Sequence, residues 1–329
     1  MNLIILMLLF PLLSFASAVV DVSNDCSPRK NNYVQLASLD DHPTYEQIYS
    51  SYSQFERARY SSAASDIVFG GDRALKKHSF KNTALVDCCK DDEPASGFII
   101  NVDSVPSEFG GIKTSDFSSC KSKMVVTAGH NVYKAQSISG RRCVVYHETS
   151  SSGYIDQPYN RDMYINNEYL RNVNNGLDDW AGDFGFIKAN QGQIQSNGAM
   201  SSDKSGFRLC DKLEIESLKC GQSANKLISS QSLSSNVGSL GVPTRACCVL
   251  GEKDGVLRTN CPGYVNSSGG PLIKLGASPC VAGVYISDNA DPANFVSQAV
   301  SVASPRFIRE INKFLKKACS SQRAIGQVN

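Results

Sequence analysis

The chain has almost no excess charge: 33 Lys and Arg stand against 31 Asp and Glu, a formal net charge of +2 over 329 residues. Nucleic acid and a membrane surface are therefore poor partners, because each attracts proteins through a cationic excess. The longest apolar run, Leu3 to Leu13, falls short of the roughly 20 residues that a membrane-spanning helix needs and is interrupted by Pro11. Cys-x-x-Cys pairs, a phosphate-binding Gly-x-x-x-x-Gly-Lys loop and a dinucleotide Gly-x-Gly-x-x-Gly pattern are all missing, so no metal, nucleotide or other cofactor is expected. His147-Glu148-Thr149-Ser150-Ser151 starts like a zinc-binding helix, but Ser151 stands where the second histidine would have to be. Internal repeats and low-complexity segments are not evident.

What is present points to export. Leu3–Leu13 has the length of a signal-peptide core, and Ala16-Ser17-Ala18 fits the small-x-small cleavage rule, so residues 1–18 read as a signal peptide. Only the terminal amine supplies positive charge ahead of that core. All twelve cysteines lie beyond the cleavage point and their number is even, which predicts disulfides and a secreted, extracellular protein. The adjacent pairs Cys88-Cys89 and Cys247-Cys248 are expected to bond elsewhere, to each other across the two halves of the molecule.

Residues 19–66 are polar and without sustained periodicity, and read as a propeptide or N-terminal extension. Short strand-like runs follow at Phe98-Ile99-Ile100, Met124 to Thr127, Cys143 to Tyr146, Phe184 to Ile187, Leu272-Ile273 and Val281 to Ile286, separated by Gly, Asn, Asp and Ser. Many short strands with turn punctuation predict an all-β barrel or sandwich. At the end, Ser304 can cap a helix and Pro305 can occupy its first position; Phe307, Ile308, Ile311, Phe314 and Leu315 then share one face. Residues 320–329 form a polar tail.

Three segments carry candidate chemistry. Met124-Val125-Val126-Thr127-Ala128-Gly129-His130 is an apolar strand that breaks at small residues and presents an imidazole. Asp183-Phe184-Gly185-Phe186-Ile187-Lys188 puts a carboxylate ahead of alternating apolar residues that can be buried; Asp179-Trp180-Ala181 is its alternative, though Gly182 interrupts the strand pattern there. Thr259-Asn260-Cys261-Pro262-Gly263-Tyr264-Val265-Asn266-Ser267-Ser268-Gly269, running into Gly270-Pro271-Leu272, offers Ser268. Singly, each has an ordinary explanation: a structural histidine, a turn aspartate, a loop serine. A serine hydroxyl needs a base to take its proton and a third group to orient that base. The order His, Asp, Ser, with 53 residues from 130 to 183 and 85 from 183 to 268, supplies all three and excludes the subtilisin and α/β-hydrolase orders.

Over roughly residues 67–317 the chain resembles the trypsin- and chymotrypsin-like serine proteases, and most closely their secreted glutamyl endopeptidase branch. Ile67-Val68-Phe69-Gly70-Gly71-Asp72-Arg73 is similar to the family's domain opening, and His130 is followed by Asn131-Val132-Tyr133 without the cysteine found in trypsins; Ile165-Asn166-Asn167-Glu168-Tyr169 also fits that branch. The resemblance implies a protease domain over 67–319 made of two six-stranded antiparallel β-barrels with a C-terminal amphipathic helix. The site lies in the cleft between barrels, with His130 and Asp183 from the first and Ser268 from the second. It implies acyl-enzyme hydrolysis of protein or peptide substrates, protease inhibitors as further partners, zymogen processing, and an oxyanion hole made by the N–H groups of Asn266 and Ser268. Two closures would serve such a site, Cys120 to Cys143 around His130 and Cys261 to Cys280 around Ser268.

The chain also departs from the family. Asn266 stands where glycine is usual, and Ser267 stands where trypsins carry the aspartate that pairs with a new amino terminus. Pro262, followed by Gly263, takes the place of the trypsin pocket aspartate. Tyr285, with Ser287 after it, takes the place of the histidine that reads glutamate. Tyr285 is equally well read as a buried strand aromatic. Asn266-Ser267-Ser268 is a glycosylation sequon in a tight loop, a poor acceptor. Two functions follow: a secreted serine endopeptidase, or a secreted, catalytically impaired homologue that binds a partner.

Overall fold

The computed structural model describes residues 82–88, 95–106, 123–136, 142–146, 154–158, 163–189, 206–222, 227–233, 240–243, 247–261, 267–276, 278–288 and 296–320. The leader at 1–18, the extension at 19–66, the domain opening at 67–73, Cys120, the 262–266 segment with Pro262, Gly263 and Asn266, and residues 321–329 of the tail lie outside the described residues.

Two antiparallel sheets dominate. The first contains β1 (Thr83–Asp87), β2 (Ala95–Ile100), β3 (Lys123–Thr127), β4 (Arg142–Tyr146), β5 (Tyr154–Pro158), β6 (Met163–Ile165) and β7 (Gly185–Ala189), in the order β5-β4-β1-β2-β3-β7-β6. The second contains β8 (Leu227–Leu233), β9 (Leu240–Pro243), β10 (Val249–Lys253), β11 (Val256–Thr259), β12 (Pro271–Lys274), β13 (Cys280–Asp288) and β14 (Ser297–Ser301), in the order β10-β11-β14-β13-β12-β8-β9. Each sheet thus has seven strands among the described residues where six were expected. The strands hardest to see in the sequence are polar ones: β5 reads Tyr-Ile-Asp-Gln-Pro and β8 Leu-Ile-Ser-Ser-Gln-Ser-Leu. Ladder pairing is a main-chain interaction, so a polar segment joins a sheet wherever a neighbouring strand offers its edge.

The apolar runs follow from burial on both faces. In β3, Met124 and Val126 point into the main core while Val125 points to a second cluster with Ala84, Val86, Ile99 and Ile187. In β7, Phe186 and Ile187 divide the same way. Alternation by two places successive side chains on opposite faces, so a strand covered on both sides shows no polar alternation.

Helix α1 (Gly129–Gln136) follows β3, α2 (Asn167–Asn174) follows β6, α3 (Lys212–Glu216) precedes β8, and α4 (Pro305–Ser320) closes the chain. Ser304 caps α4 by accepting the Phe307 N–H at 3.2 Å. Phe307, Ile311, Phe314 and Leu315 are buried. The helix packs against β7 of the first sheet: Phe307 lies 5.1 Å from Phe184 and 5.5 Å from Phe186, and Phe314 lies 5.4 Å from Phe186, between ring centroids. The last described element therefore packs under the residue that follows Asp183.

The described disulfides correct the expected pairing. Cys261 bonds Cys247, and Cys280 bonds Cys210, so the predicted Cys261–Cys280 closure does not form. Cys248 bonds Cys220, which keeps the adjacent pair Cys247-Cys248 within the second half of the chain. Cys88 is also disulfide-bonded. Pairing depends on which strand ends the fold brings together, and β10 and β11 bring Cys247 and Cys261 to one end of a hairpin. Sequence spacing carries none of that information.

Candidate functional site

β3 delivers Thr127 and Ala128 to the start of α1, and His130 sits in the helix's first turn. Its main-chain N–H donates to Asp183 Oδ1 at 2.7 Å, and Nδ1 lies 2.8 Å from Asp183 Oδ2. A carboxylate oxygen accepts, so Nδ1 carries the hydrogen and the lone pair is left on Nε2, the nitrogen able to take a proton from another group. Gly129 makes this approach possible: a Cβ there would come within 2.9 Å of Phe184 N and 3.0 Å of Asp183 Oδ1.

Asp183 follows a short 3-10 turn, Trp180–Gly182, and β7 starts two residues later at Gly185, so the aspartate belongs to the turn and not to the strand. It is buried, whereas 31 % of the His130 side chain stays exposed. Tyr169, buried on α2 beside Val132 and Ile165, lies near the same carboxylate. Burial first, and then the neighbouring Asp183 carboxylate, push the Tyr169 phenol far above its ordinary range, so it stays protonated.

The alternative acid, Asp179, is committed elsewhere. Arg306 of α4 donates to its two oxygens at 2.7 and 2.6 Å, Asn172 donates at 3.0 Å and the Gly182 N–H at 3.1 Å. Burial pushes the Asp179 carboxyl up, but these donors together, Arg306 foremost, hold it below its usual value. Asp179 thus shapes the turn from which Asp183 reaches His130.

Ser268 comes from the opposite sheet and arrives between two hydrogen-bonded anchors. Its carbonyl oxygen accepts the Ser96 N–H at 3.0 Å and Asn131 Nδ2 at 3.1 Å. Gly269 N donates to Tyr285 O at 2.7 Å, and Tyr285 N donates to Gly270 O at 2.9 Å. Gly269 has φ +89°, and a Cβ there would fall 2.1 Å from Ser96 O and 2.2 Å from Thr127 Oγ1; only glycine permits both the angle and the contact. The Ser268 hydroxyl donates to Ile286 O at 2.8 Å, so in this structure it is turned toward β13 and not toward the imidazole.

Of the residues expected from sequence, His130 and Asp183 are brought into direct contact, and Ser268 is seated against Asn131, the neighbour of His130. Tyr285 is buried in β13, where it holds the loop through its main chain; Ser287 is half-buried on the same strand. Sequence reading gave no role to Asn131, Tyr169, Ser96 or Thr127. Asn131 follows the histidine directly and could have been suspected as a polar residue inside an apolar segment. Tyr169 is one of 13 tyrosines, and although its segment fits the resemblance, nothing local relates it to Asp183.

One cluster among the described residues has metal-like composition, Cys210, Glu214 and Cys280, but its two sulfurs are bonded to each other. Glu214 is held by Arg208 and Lys274.

Neither a protein-family model nor a curated protein sequence matches the chain. Solved structures do. It is similar to a Glu endopeptidase in complex with MPD, with 15 % identity, a TM-score of 0.44, and 71 % of this chain and 90 % of that one covered. It is also similar to the scabies mite inactivated protease paralogue S-D1, with 12 % identity, a TM-score of 0.45, and coverage of 74 % and 94 %. Deg5 matches at 12 % identity and a TM-score of 0.42, covering 77 % and 92 %. Likeness at this level leaves the chemistry to be argued from the chain's own residues.

Proposed function

We propose that this protein is a secreted serine endopeptidase in which Ser268 attacks a peptide carbonyl, His130 takes its proton and Asp183 orients the imidazole. The observation that carries the reading is the two-point grip of Asp183 on His130, with 2.7 Å to the main chain and 2.8 Å to Nδ1, which fixes the tautomer that leaves Nε2 basic. For this step the hydroxyl has to turn away from Ile286 O toward Nε2. The Ser268 Oγ–H bond then breaks as a bond to the carbonyl carbon forms, and the proton passes to Nε2 and later to the leaving amine. Water hydrolyses the acyl-enzyme by the same route in reverse. The N–H groups of Ser268 and Asn266 are the proposed oxyanion donors, each worth roughly 10²–10³ in turnover.

Protein or peptide is the proposed substrate. Pro262 and Gly263 in place of an acidic pocket residue argue against a Lys or Arg preference, and buried Tyr285 supplies no charged group for glutamate. Residues 1–18 serve as leader and 19–66 as the extension removed on maturation. Ser267 is buried and uncharged, so activation would not use an ion pair with a freed amino terminus. The disulfides fit an oxidising compartment, and no helix among the described residues is long and apolar enough to cross a membrane.

The second reading, a catalytically impaired homologue that binds a partner, is favoured by one observation: the Ser268 hydroxyl is engaged by Ile286 O. Fluorophosphonate labelling of the secreted protein separates the two. Labelling that disappears in Ser268→Ala is the expected result; a folded, leader-cleaved protein that takes no label favours the binding role.

A further inference from the structure

We propose that Asn131 is a positioning residue that ties the nucleophile's main chain to the helix carrying the base. This inference rests on the protease reading for its catalytic consequence, but not for the contact itself.

Asn131 is buried, and a buried amide is as a rule hydrogen-bonded. Both hydrogens of Nδ2 are engaged: one goes to Thr127 Oγ1 at 3.0 Å and the other to Ser268 O at 3.1 Å. A carbonyl oxygen can only accept, so the amide atom facing Ser268 is the nitrogen. The Thr127 hydroxyl, having accepted from Asn131, donates onward to Ser96 O at 2.7 Å, and Ser96 N donates to Ser268 O at 3.0 Å. Four hydrogen bonds therefore close a ring through Asn131, Thr127, Ser96 and Ser268, with every donor and acceptor consistent. β2 supplies Ser96, β3 supplies Thr127, α1 supplies Asn131 and the loop before β12 supplies Ser268.

The ring acts at the point where the two sheets meet. Gly269, with no side chain, lets the loop descend until a Cβ would overlap Ser96 O and Thr127 Oγ1. The Ser268 carbonyl is then held from two directions, which fixes the Ser268–Gly269 peptide plane and so the direction of the Cα–Cβ bond that carries Oγ. Because His130 and Asn131 are consecutive residues in one helical turn, a shift of α1 moves the base and the anchor of the nucleophile together. Effective attack requires reacting atoms within a few tenths of an ångström of their productive positions, and a shared frame supplies that tolerance.

The variants are Asn131→Ala, which removes both donors but leaves Ser268 O its bond from Ser96, and Asn131→Asp, which sets a carboxylate oxygen against Ser268 O. Each is compared with wild type by the second-order rate of fluorophosphonate labelling, by kcat and KM on a peptide substrate, and by amide hydrogen exchange at Ser96. A positioning role lowers labelling and kcat about 10- to 100-fold, more in the aspartate variant, with KM within about threefold and Tm nearly unchanged. Exchange of the Ser96 N–H rises about tenfold as the ring opens. Labelling and kcat equal to wild type, or losses that only track a lowered Tm, overturn the proposal. If wild type itself takes no label, the protease reading fails, and Ser96 exchange alone decides: unchanged protection in Asn131→Ala overturns the proposal, and faster exchange upholds Asn131 as the residue that fixes Ser268.

Discussion

The two sheets hold their parts of the site by different means. On the first, His130 and Asp183 are set by side-chain hydrogen bonds: Asp183 receives His130 twice, while Asp179 braces the same turn through Arg306. On the second, Ser268 is set mainly by main-chain bonds, its carbonyl to Ser96 N and the next residues to Tyr285, with Asn131 as the one side chain that joins them, above a hairpin and loops cross-linked by three described disulfides. Polar networks set orientation and tautomer but rest on every member being satisfied. Covalent closures act on the unfolded chain and tolerate local change. The half with His130 and Asp183 should therefore be the more sensitive to single substitutions, and the half with Ser268 the more sensitive to reduction.

The sharpest way to break that comparison is to substitute the two aspartates of one turn. Asp183→Asn preserves shape but presents an amide that can favour the wrong imidazole tautomer; kcat should fall roughly 10³–10⁴-fold while Tm stays near wild type. Asp179→Asn takes from Arg306 its nearer counter-charge and leaves it Glu168 at 3.5 Å, and the expected cost is about 1–3 kcal/mol of stability with a much smaller effect on kcat. Steady-state kinetics paired with denaturant unfolding checks both. Equal kinetic losses in the two variants would mean that Asp179 acts on the imidazole too, contrary to the geometry.

How far the sequence carried this site depended on the range of the interactions. The His130 segment was legible as a candidate because strand, glycine and histidine are contiguous, and Gly129 is needed for a contact that His130 itself makes. Choosing Asp183 over Asp179 from strand pattern reached the residue in contact with His130, although β7 starts only at Gly185; the physical reason is Arg306, 127 residues away, which no local pattern contains. The polar strands β5 and β8 and the Cys210–Cys280 and Cys247–Cys261 pairings were not legible, because edge pairing and sulfur proximity are properties of the assembled chain. Tyr169 and Asn131 belong to the same class, since their partners lie across a helix or across the cleft.

On the second sheet, the measurement of next largest effect is removal of the Cys247–Cys261 bond by Cys247→Ser with Cys261→Ser. The two residues are 14 apart, and loop-closure entropy for such a span corresponds to about 3 kcal/mol. Denaturant unfolding should show that loss, with labelling of the surviving folded fraction within a fewfold of wild type, because Ser268 is oriented by Ser96, Tyr285 and Asn131. A nucleophile silenced in protein that remains folded would show that the cross-link positions the loop as well as stabilising it, and the contrast between the halves would narrow.

The smallest effect expected belongs to Glu214, a polar network inside the disulfide-linked half. Hydrogen bonds from Arg208 at 2.7 Å on each oxygen, then Lys274 and the Asp211 N–H, outweigh burial and hold its carboxyl down at about 2. An unfolded glutamate protonates near ~4.3, so in the acid range the unfolded chain binds this proton first. The contribution is present in full above that value and is lost as pH falls toward about 2. Because the group is only partly screened from water, about 1 kcal/mol is expected. Glu214→Gln should be less stable than wild type by that amount at neutral pH, and the two unfolding curves should converge between roughly pH 4 and 2. A difference that persists unchanged to pH 2 would assign the loss to packing beside Cys210–Cys280 and leave the second half with no titrating network of its own to set against that of Asp179.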